Sequence, residues 1–587
     1  VNIASYLQYK AEPDKVFIST NTQKLVGGNF LTRPLGKITI DGRSEAIKVY
    51  ELIGTKGTRT RIDIQIERGL THFTGREREL GILKDCLKET NEGRGQVVFV
   101  VGEPGVGKSR LLLEFRKSLS KHTINWFEGK CITYGNSIAY LPLTEILKKI
   151  FQIADKTDNE REILKKIEEG ALLLGSDLEQ SIQYFKYLLS GEPGEDSGST
   201  TNARYRRAEI FEALRRIIIR QSEIKPLILV IEDLHWIDKT SQEFLTLLVN
   251  SIPAYPVLLI LTYRPDFSHS LGEKTYYTRI ALRNLNHEES IRMAESLLEA
   301  IVLPEELREL IIQKAEGNPF FIEELIRSLI ESAAITKNGA ELIFKQDVSQ
   351  IKVPDSIQDI LMARIDRLGD RPKKVLQVGS VIGREFGFKL LKNVSSLGDD
   401  ELRDLLLALR NTELIHEKGV SLDANYVFKH ALTHEVAYNS LLIQRRIELH
   451  EKTGIAIEEM YINRIDEFYE VLAYHFSRTN NKEKAFYYLT MAGKKAKSVF
   501  AMEEALGFFN HALTCLDELP KTETYKEKRI DILLEMENIY DATINREKQG
   551  KVLATLIELS EELNNKRRVS DVYIKQAEYL SVIGSFA

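Results

Sequence analysis

Between positions 73 and 285 short apolar runs alternate with longer stretches whose apolar residues recur at helical spacing. The runs Val97–Val101, Trp126–Gly129, Leu227–Ile231 and Val257–Thr262 predict buried strands, and the alternation predicts a parallel sheet wrapped by helices. A Gly/Ser/Asp-rich segment, Ser190–Asn202, interrupts the pattern as a loop. Asn286-His287-Glu288-Glu289 fits a capping box, in which Asn286 accepts from the first helical turn and Glu289 reaches back. From there the pattern is almost wholly helical, with one hairpin predicted at Leu414–Gly419 and Asn425–His430. Ahead of the alternation, residues 1–55 read as short strands and turns at Lys15–Ser19, Gly36–Ile40 and Ile47–Glu51, and residues 56–72 as a polar linker. Past residue 440, Ala485, Leu489, Ala492 and again Ala505, Phe509, Ala512 give a small–bulky–small stripe that lets neighbouring helices approach.

Length and composition narrow the class. A chain of 587 residues holds roughly four domains. Lys and Arg number 81 against 86 Asp and Glu, a net charge of −5, so no global electrostatic footprint for nucleic acid or an anionic membrane exists. Three scattered cysteines, Cys86, Cys131 and Cys515, fit neither a metal site nor a disulfide framework and predict a reducing, cytoplasmic setting. No apolar run reaches membrane-spanning length. Val1 in place of Met, and an end inside a helical pattern, lead us to expect a segment of a longer chain.

The chemistry begins where the strand Gln96–Val101 breaks into Gly102-Glu103-Pro104-Gly105-Val106-Gly107-Lys108-Ser109-Arg110. Gly102, Gly105 and Gly107 let backbone N–H groups surround phosphate oxygens. Lys108 adds charge for the β- and γ-phosphates, and Ser109 supplies a hydroxyl for Mg²⁺ at a helix start. These nine residues are the candidate ATP contacts. The strand Leu227–Ile231 ends in Glu232-Asp233, two carboxylates suited to hold Mg²⁺ through water and to polarise an attacking water. Val257–Thr262 leads into Tyr263-Arg264, whose guanidinium can report a γ-phosphate. Lys108, Glu232, Asp233 and Arg264 are the candidate catalytic residues, and Ser109, Glu232 and Asp233 the candidate Mg²⁺ ligands.

Taken in order, Phe73-Thr-Gly-Arg-Glu-Arg-Glu79, the phosphate loop, Glu232–Asp238, Thr262–Arg264 and Gly317–Leu325 resemble the motifs of STAND-class ATPases, signalling switches related to AAA+ proteins. The resemblance covers about residues 73–587. It implies that Gly75, Arg76 and Pro319 flank the adenine and that Arg264 is the sensor arginine. Most such ATPases carry Asp at the place of Glu232, so which of Glu232 and Asp233 meets the metal stays open. It further implies a winged-helix lid with Phe428–Tyr438 as signature and His430 as a candidate nucleotide sensor, although a lone His beside apolar residues also reads as packed core. Residues 351–440 carry thirteen basic and thirteen acidic residues, so this winged helix is expected to be a lid and not a DNA reader. The alanine stripe resembles tetratricopeptide-like helix pairs, here 20 residues apart instead of 34.

Residues 1–55 resemble the C-terminal end of class III nucleotide cyclase domains. Active members place Asn and Arg four residues apart on one helix; Asn2 fits the first, but Tyr6 stands at the second and offers no forked charge to a developing phosphate. The expected organisation is therefore multidomain: a small α+β cyclase remnant (1–55), a linker (56–72), an α/β P-loop ATPase core (73–285), a helical lid (286–350), a winged helix (351–445) and TPR-like repeats (446–587). The expected function is an ATP/ADP-dependent switch with Mg²⁺, slow in hydrolysis because no trans-acting arginine finger is evident. It would govern a fused cyclase-type domain, the segment itself making no cyclic nucleotide. Protein or peptide partners would bind the repeats and dimerisation would run through the cyclase-type domain, with no direct nucleic-acid binding. Two alternatives are an ATP-dependent transcriptional regulator whose DNA-binding domain lies beyond residue 587, and a scaffold with a vestigial ATP site.

Overall fold

A computed structural model describes the chain apart from residues 1, 12–14, 21, 24–29, 39–46, 56–72, 120–122, 133–134, 136–137, 155–158, 191–202, 299, 301, 333, 339–340, 345–355, 419–423, 564 and 585–587. The linker and the core of the Gly/Ser-rich loop lie outside the described residues. Two compact units emerge: residues 1–73, 291–314 and 323–449 form one, and residues 74–290, 315–322 and 450–587 the other.

The chain opens with α1 (Asn2–Lys10), which carries Asn2 and Tyr6 one turn apart, and an antiparallel sheet of β1 (Val16–Ser19), β2 (Phe30–Ile38) and β3 (Ile47–Thr55) in the order β1-β3-β2. The edge strand β2 starts at Phe30, earlier than its pattern predicts, and its register against β3 shifts between Pro34 and Gly36. There proline lacks an N–H, and Gly36 takes φ +105°.

The alternating region forms a five-stranded parallel sheet of β4 (Gln96–Val101), β5 (Asn125–Lys130), β6 (Leu227–Glu232), β7 (Val257–Tyr263) and β8 (Tyr277–Ala281). The strand order is β5-β6-β7-β4-β8. Every residue of β6 and β7 is buried, the signature of central parallel strands covered on both faces. Four strands match the expectation and β8 is an addition. Its helices are α2 (Glu77–Asn91), α3 (Lys108–Lys117), α4 (Leu141–Ile150), α5 (Glu160–Leu174), α6 (Ile182–Ser190), α7 (Ala203–Ile224) and α8 (Lys239–Ser251).

The capping box forms as expected at α9 (His287–Leu298), with Glu289 N–H to Asn286 Oδ1 and Asn286 N–H to Glu289 Oε2 both at 2.9 Å. After α10 (Glu305–Ala315) and α11 (Pro319–Glu331) comes an antiparallel pair, β9 (Ile335–Asn338) and β10 (Glu341–Phe344), within the stretch whose pattern predicts helix. Next, α12 (Ile357–Arg367), α13 (Asp370–Ile382), α14 (Phe388–Ser395) and α15 (Asp399–Asn411) accompany a three-stranded antiparallel sheet. Its strands are β11 (Glu385–Gly387), β12 (Ile415–Lys418) and β13 (Asn425–Phe428), ordered β11-β13-β12, and α16 (Ala431–Asn439) follows. The hairpin foreseen at 414–430 is β12–β13.

The remainder is helical: α17 (Ile443–Met460), α18 (Tyr469–Phe476), α19 (Lys482–Ser498), α20 (Met502–Asp517), α21 (Glu523–Ala542), α22 (Arg546–Glu562) and α23 (Lys566–Ile583). From α18 onward each helix packs on the next. The predicted stripe is the packing face, with Ala485, Leu489, Ala492, Ala505, Phe509 and Ala512 all buried. Asn481, Thr522, Asn545 and Asn565 start four of these helices by accepting a first-turn N–H. Among the described residues no helix is long and apolar enough to cross a membrane.

Candidate nucleotide-binding site

The turn from β4 to α3 carries Gly105 at φ +84° and Gly107 at φ +102°, left-handed conformations that side chains disfavour. A Cβ on Gly102 would lie 2.7 Å from Val106 Cγ1, whereas one on Gly107 would meet open space. The loop is thus closed on its sheet side and open above. Because α3 begins at Lys108, its first-turn N–H groups and the positive end of its dipole face that opening. Lys108 Nζ donates to the carbonyls of Gly102 (2.6 Å) and Glu103 (3.1 Å). Burial lowers its pKa, Asp233 opposes that, and Arg264 adds to it. Glu103 is exposed, Pro104 half-buried and Val106 buried, while Arg110 Nε pairs with Glu114 at 3.0 Å.

The acidic pair reaches this loop in an indirect way. In the sheet β7 lies between β4 and β6, so the carboxylates are not on the neighbouring strand. Contact comes through α3: Ser109 Oγ donates to Glu232 Oε2 at 2.7 Å. The other oxygen, Oε1, lies 2.8 Å from Lys130 Nζ on β5. Burial pushes the Glu232 carboxyl up, but the Lys130 ammonium, with the neighbouring Glu128 carboxyl and the Ser109 hydroxyl, outweighs it and holds the group ionised, well below the usual range. Glu128 goes the other way, raised to about 7 by burial and by the Glu232 charge. Asp233 adopts φ +60°, and its N–H donates to Thr262 Oγ1 at 3.0 Å. That turn takes its carboxylate into the field of Lys108 and of His235, whose pKa falls to about 4 through burial together with Arg264 and Lys108. The Arg264 guanidinium lies over the Trp236 ring, 5.2 Å from its centroid.

Arg76 and Asn318 grip the loop from outside. Arg76, buried, donates from Nη2 to the carbonyls of Val106 (3.3 Å) and Arg283 (2.5 Å) and pairs with Glu79. Gly75 lies against the Glu289 carboxyl, 2.5 Å from where its Cβ would be. Asn318 donates to Pro104 O at 3.1 Å, accepts from the Phe320 and Phe321 N–H groups, and so ties the start of α11, Pro319 included, to the loop. Phe320 N–H adds a bond to Gly105 O at 3.3 Å.

The structure therefore brings together Lys108, Ser109, Glu232, Asp233 and Arg264, and sets Gly75, Arg76 and Pro319 around the same loop. The cradle fits a Mg²⁺-nucleotide: a loop packed so closely at Gly102 and Gly105 that a Cβ would clash, a free face above Gly107, and the serine–carboxylate pair that a divalent cation requires. Sequence reasoning passed over Lys130, Glu128, Thr262 and Asn318. A signal existed for Lys130, a charge directly after an apolar strand at the carboxyl edge of a parallel sheet, where ligands gather.

His430 has other neighbours. It precedes α16 and offers a ring nitrogen within 4.8 Å of carboxylate oxygens of Glu323 and Glu324. Those carboxylates are already engaged, Glu323 by Lys429 (2.6 Å) and Arg327 (2.9 Å), Glu324 by Arg364, which also binds Glu331 and the Thr412 carbonyl. The cluster is an ion-pair network that ties α11 to α12 and to Lys429 just past β13, and its cations stand where a metal would.

Residues 72–260 match the family described as AAA ATPase domain, and residues 286–341 one described as a domain of unknown function (DUF8739). Among curated proteins the chain is 26% identical over 553 residues to an uncharacterised protein, R02095, of Rhizobium meliloti (strain 1021), covering 92% of this chain and 52% of that protein. It is 21% identical over 448 residues to adenylate cyclase type 10 of Rattus norvegicus, covering 66% and 26%. The chain thus spans about half the length of the first relative and a quarter of the second. Among solved structures, a STAND protein with a tetratricopeptide repeat sensor, PH0952 of Pyrococcus horikoshii, aligns at 15% identity and TM-score 0.40, covering 87% of this chain and 68% of that one. Drosophila ORC bound to DNA aligns at 12% identity and TM-score 0.29, covering 68% and 95%.

Proposed function

We propose that the AAA ATPase domain makes this chain an ATP-driven signalling switch of the STAND type, which binds ATP with Mg²⁺, hydrolyses it slowly and rearranges its helical regions between ATP and ADP states. The observation that carries the reading is the 2.7 Å bond from Ser109 to Glu232 beneath an open glycine cradle. When bound, Mg²⁺ would neutralise phosphate charge. Ser109 and Glu232 would hold that ion, and the loop amides with Lys108 would hold the phosphates. Asp233, held apart from Glu232 by its left-handed turn, is the group suited to orient a water. Arg264 is the residue suited to report the γ-phosphate. Swinging such an equilibrium from mostly one state to mostly the other takes about 5.5 kcal/mol of differential affinity, which two cations on one phosphate are able to supply.

Residues 351–445 would serve as a winged-helix lid and residues 446–587 as a TPR-like surface for a protein or peptide ligand. The output is proposed to be a fused nucleotide-cyclase-type domain. The similarity to adenylate cyclase type 10 and the α1 helix with Asn2 and Tyr6 support that, while Tyr6 in place of an arginine argues that this segment makes no cyclic nucleotide. The test is limited proteolysis of the purified chain in ADP and in a non-hydrolysable ATP analogue, with ATP turnover measured alongside. Slow turnover with distinct cleavage patterns supports the switch; identical patterns in both nucleotides reject it.

A further inference from the structure

The sheet register sets a lysine opposite the carboxylate that the metal would use. Lys130 and Glu232 are Cα partners at the carboxyl ends of β5 and β6. The lysine is anchored there: its backbone N–H donates to Glu145 Oε2 of α4 at 2.9 Å, and Lys149 of the same helix donates to the Glu128 carbonyl. Lys130 Nζ then lies 2.8 Å from Glu232 Oε1 and 3.8 Å from Glu128 Oε1. Glu232 is only 3% exposed at its side chain, so its charge is supported by this ammonium on one oxygen and by Ser109 on the other. Removing water from a carboxylate is tolerated only with such a partner.

We propose that Lys130 is a positioning residue of the nucleotide site, the standing counterion of Glu232 that competes with the divalent cation for that carboxylate. The proposal rests on the ATP reading above. A cation arriving beside Ser109 meets a carboxylate already neutralised, and a second positive charge in the same low-dielectric pocket repels it. The ammonium also does part of the cation's work, because it adds positive charge next to the phosphate cradle whether or not metal is present. The consequence is a site that takes nucleotide almost as well without Mg²⁺ as with it, and in which removing Lys130 creates a Mg²⁺ requirement.

The experiment is fluorescence titration of the purified chain with mant-ADP in excess MgCl₂ and in EDTA, for wild type, Lys130→Met and Lys130→Arg. The ratio of the two dissociation constants is the readout, since a merely structural loss would lower both affinities alike. Expected is a ratio under about threefold for wild type and for Lys130→Arg, rising to about tenfold or more in Lys130→Met. A wild-type ratio of about tenfold or more, or a small ratio that Lys130→Met leaves unchanged, overturns the proposal while leaving the ATP reading intact. If Lys130→Met does not fold, the wild-type and Lys130→Arg ratios decide alone. Absence of binding by wild type in both buffers rejects the ATP reading and this proposal with it.

Discussion

Replacing Glu504 by alanine tests whether the helical array is latched to the ATPase core next to its acidic pair. Glu504 starts α20 and is 6% exposed; its Oε1 accepts the Thr240 N–H at 2.9 Å and its Oε2 the Thr240 hydroxyl at 2.8 Å. Thr240 opens α8, the helix that follows Glu232-Asp233 after a short turn, and there Asp238 caps the Ser241 N–H at 2.8 Å. Glu504 thus serves as a second cap, supplied by a residue 264 positions away. Two hydrogen bonds to a charged acceptor contribute about 1.5–3 kcal/mol each. The desolvation of a buried carboxylate offsets several kcal/mol of that sum. What Glu504→Ala leaves behind is a buried N–H and hydroxyl without acceptor, a cost of about 2 kcal/mol, or roughly 30-fold in a local opening equilibrium. Hydrogen–deuterium exchange of peptides covering the start of α8 and the start of α20 reads this directly. Both segments should exchange about 30-fold faster in Glu504→Ala, with a coupling energy above about 1 kcal/mol in a cycle with Thr240→Val. Unchanged exchange in α8, or effects that add with coupling under about 0.5 kcal/mol, would refute the latch.

Asp238 supplies a pH dependence. Burial pushes its carboxyl from 3.8 to about 7, with Glu504 adding to the rise and the Ser241 and Tyr140 N–H bonds opposing it. Between those values the folded chain keeps a proton that the unfolded chain has lost, so stability falls as pH rises from about 4 to about 7 and levels off above. The contribution is at most about 4 kcal/mol. Asp238→Asn, which keeps the accepting oxygen, should flatten that part of a melting-temperature profile; an unchanged slope contradicts the assignment. Gly105→Ala should weaken nucleotide binding, because its φ of +84° disfavours a side chain and the new Cβ would lie 2.8 Å from Asn318 Oδ1 and 2.9 Å from Phe320 Cβ. A strain of about 1–2 kcal/mol predicts a loss of about tenfold in mant-ADP affinity, and wild-type affinity would exclude the clasp between Asn318 and the loop.

The phosphate loop is legible in the sequence because its chemistry is contiguous: strand, glycines, Lys108 and Ser109 follow one another, and local geometry does the rest. Glu232-Asp233 is legible for the same reason, as a strand that ends in charge. The roles within the pair are not, since they depend on the left-handed turn at Asp233 and on Ser109 approaching from another element. Lys130 shows in the sequence only as a charge at a strand end, and it is the register of two strands about a hundred residues apart that makes it a partner of Glu232. The fifth strand, Tyr277–Ala281, is a short, half-exposed edge whose single buried residue gives no alternation to read. The β9–β10 pair did leave a cue, Asn338-Gly339 between two short runs, which the surrounding helical periodicity obscures. Glu504 looks like a surface acid complementing a helix start, and only the docking of α20 on α8 buries it.

The central claim is that Lys108 and its glycine cradle hold the phosphates of ATP, and isothermal titration of ATP into wild type and Lys108→Ala in the presence of MgCl₂ tests it most directly. Loss of the Lys108 ammonium from the loop should weaken binding by about a hundredfold or more, with the melting temperature of the nucleotide-free chain little changed. Equal affinity in the two proteins would mean that ATP, if bound, sits elsewhere, and the account of this site would fall.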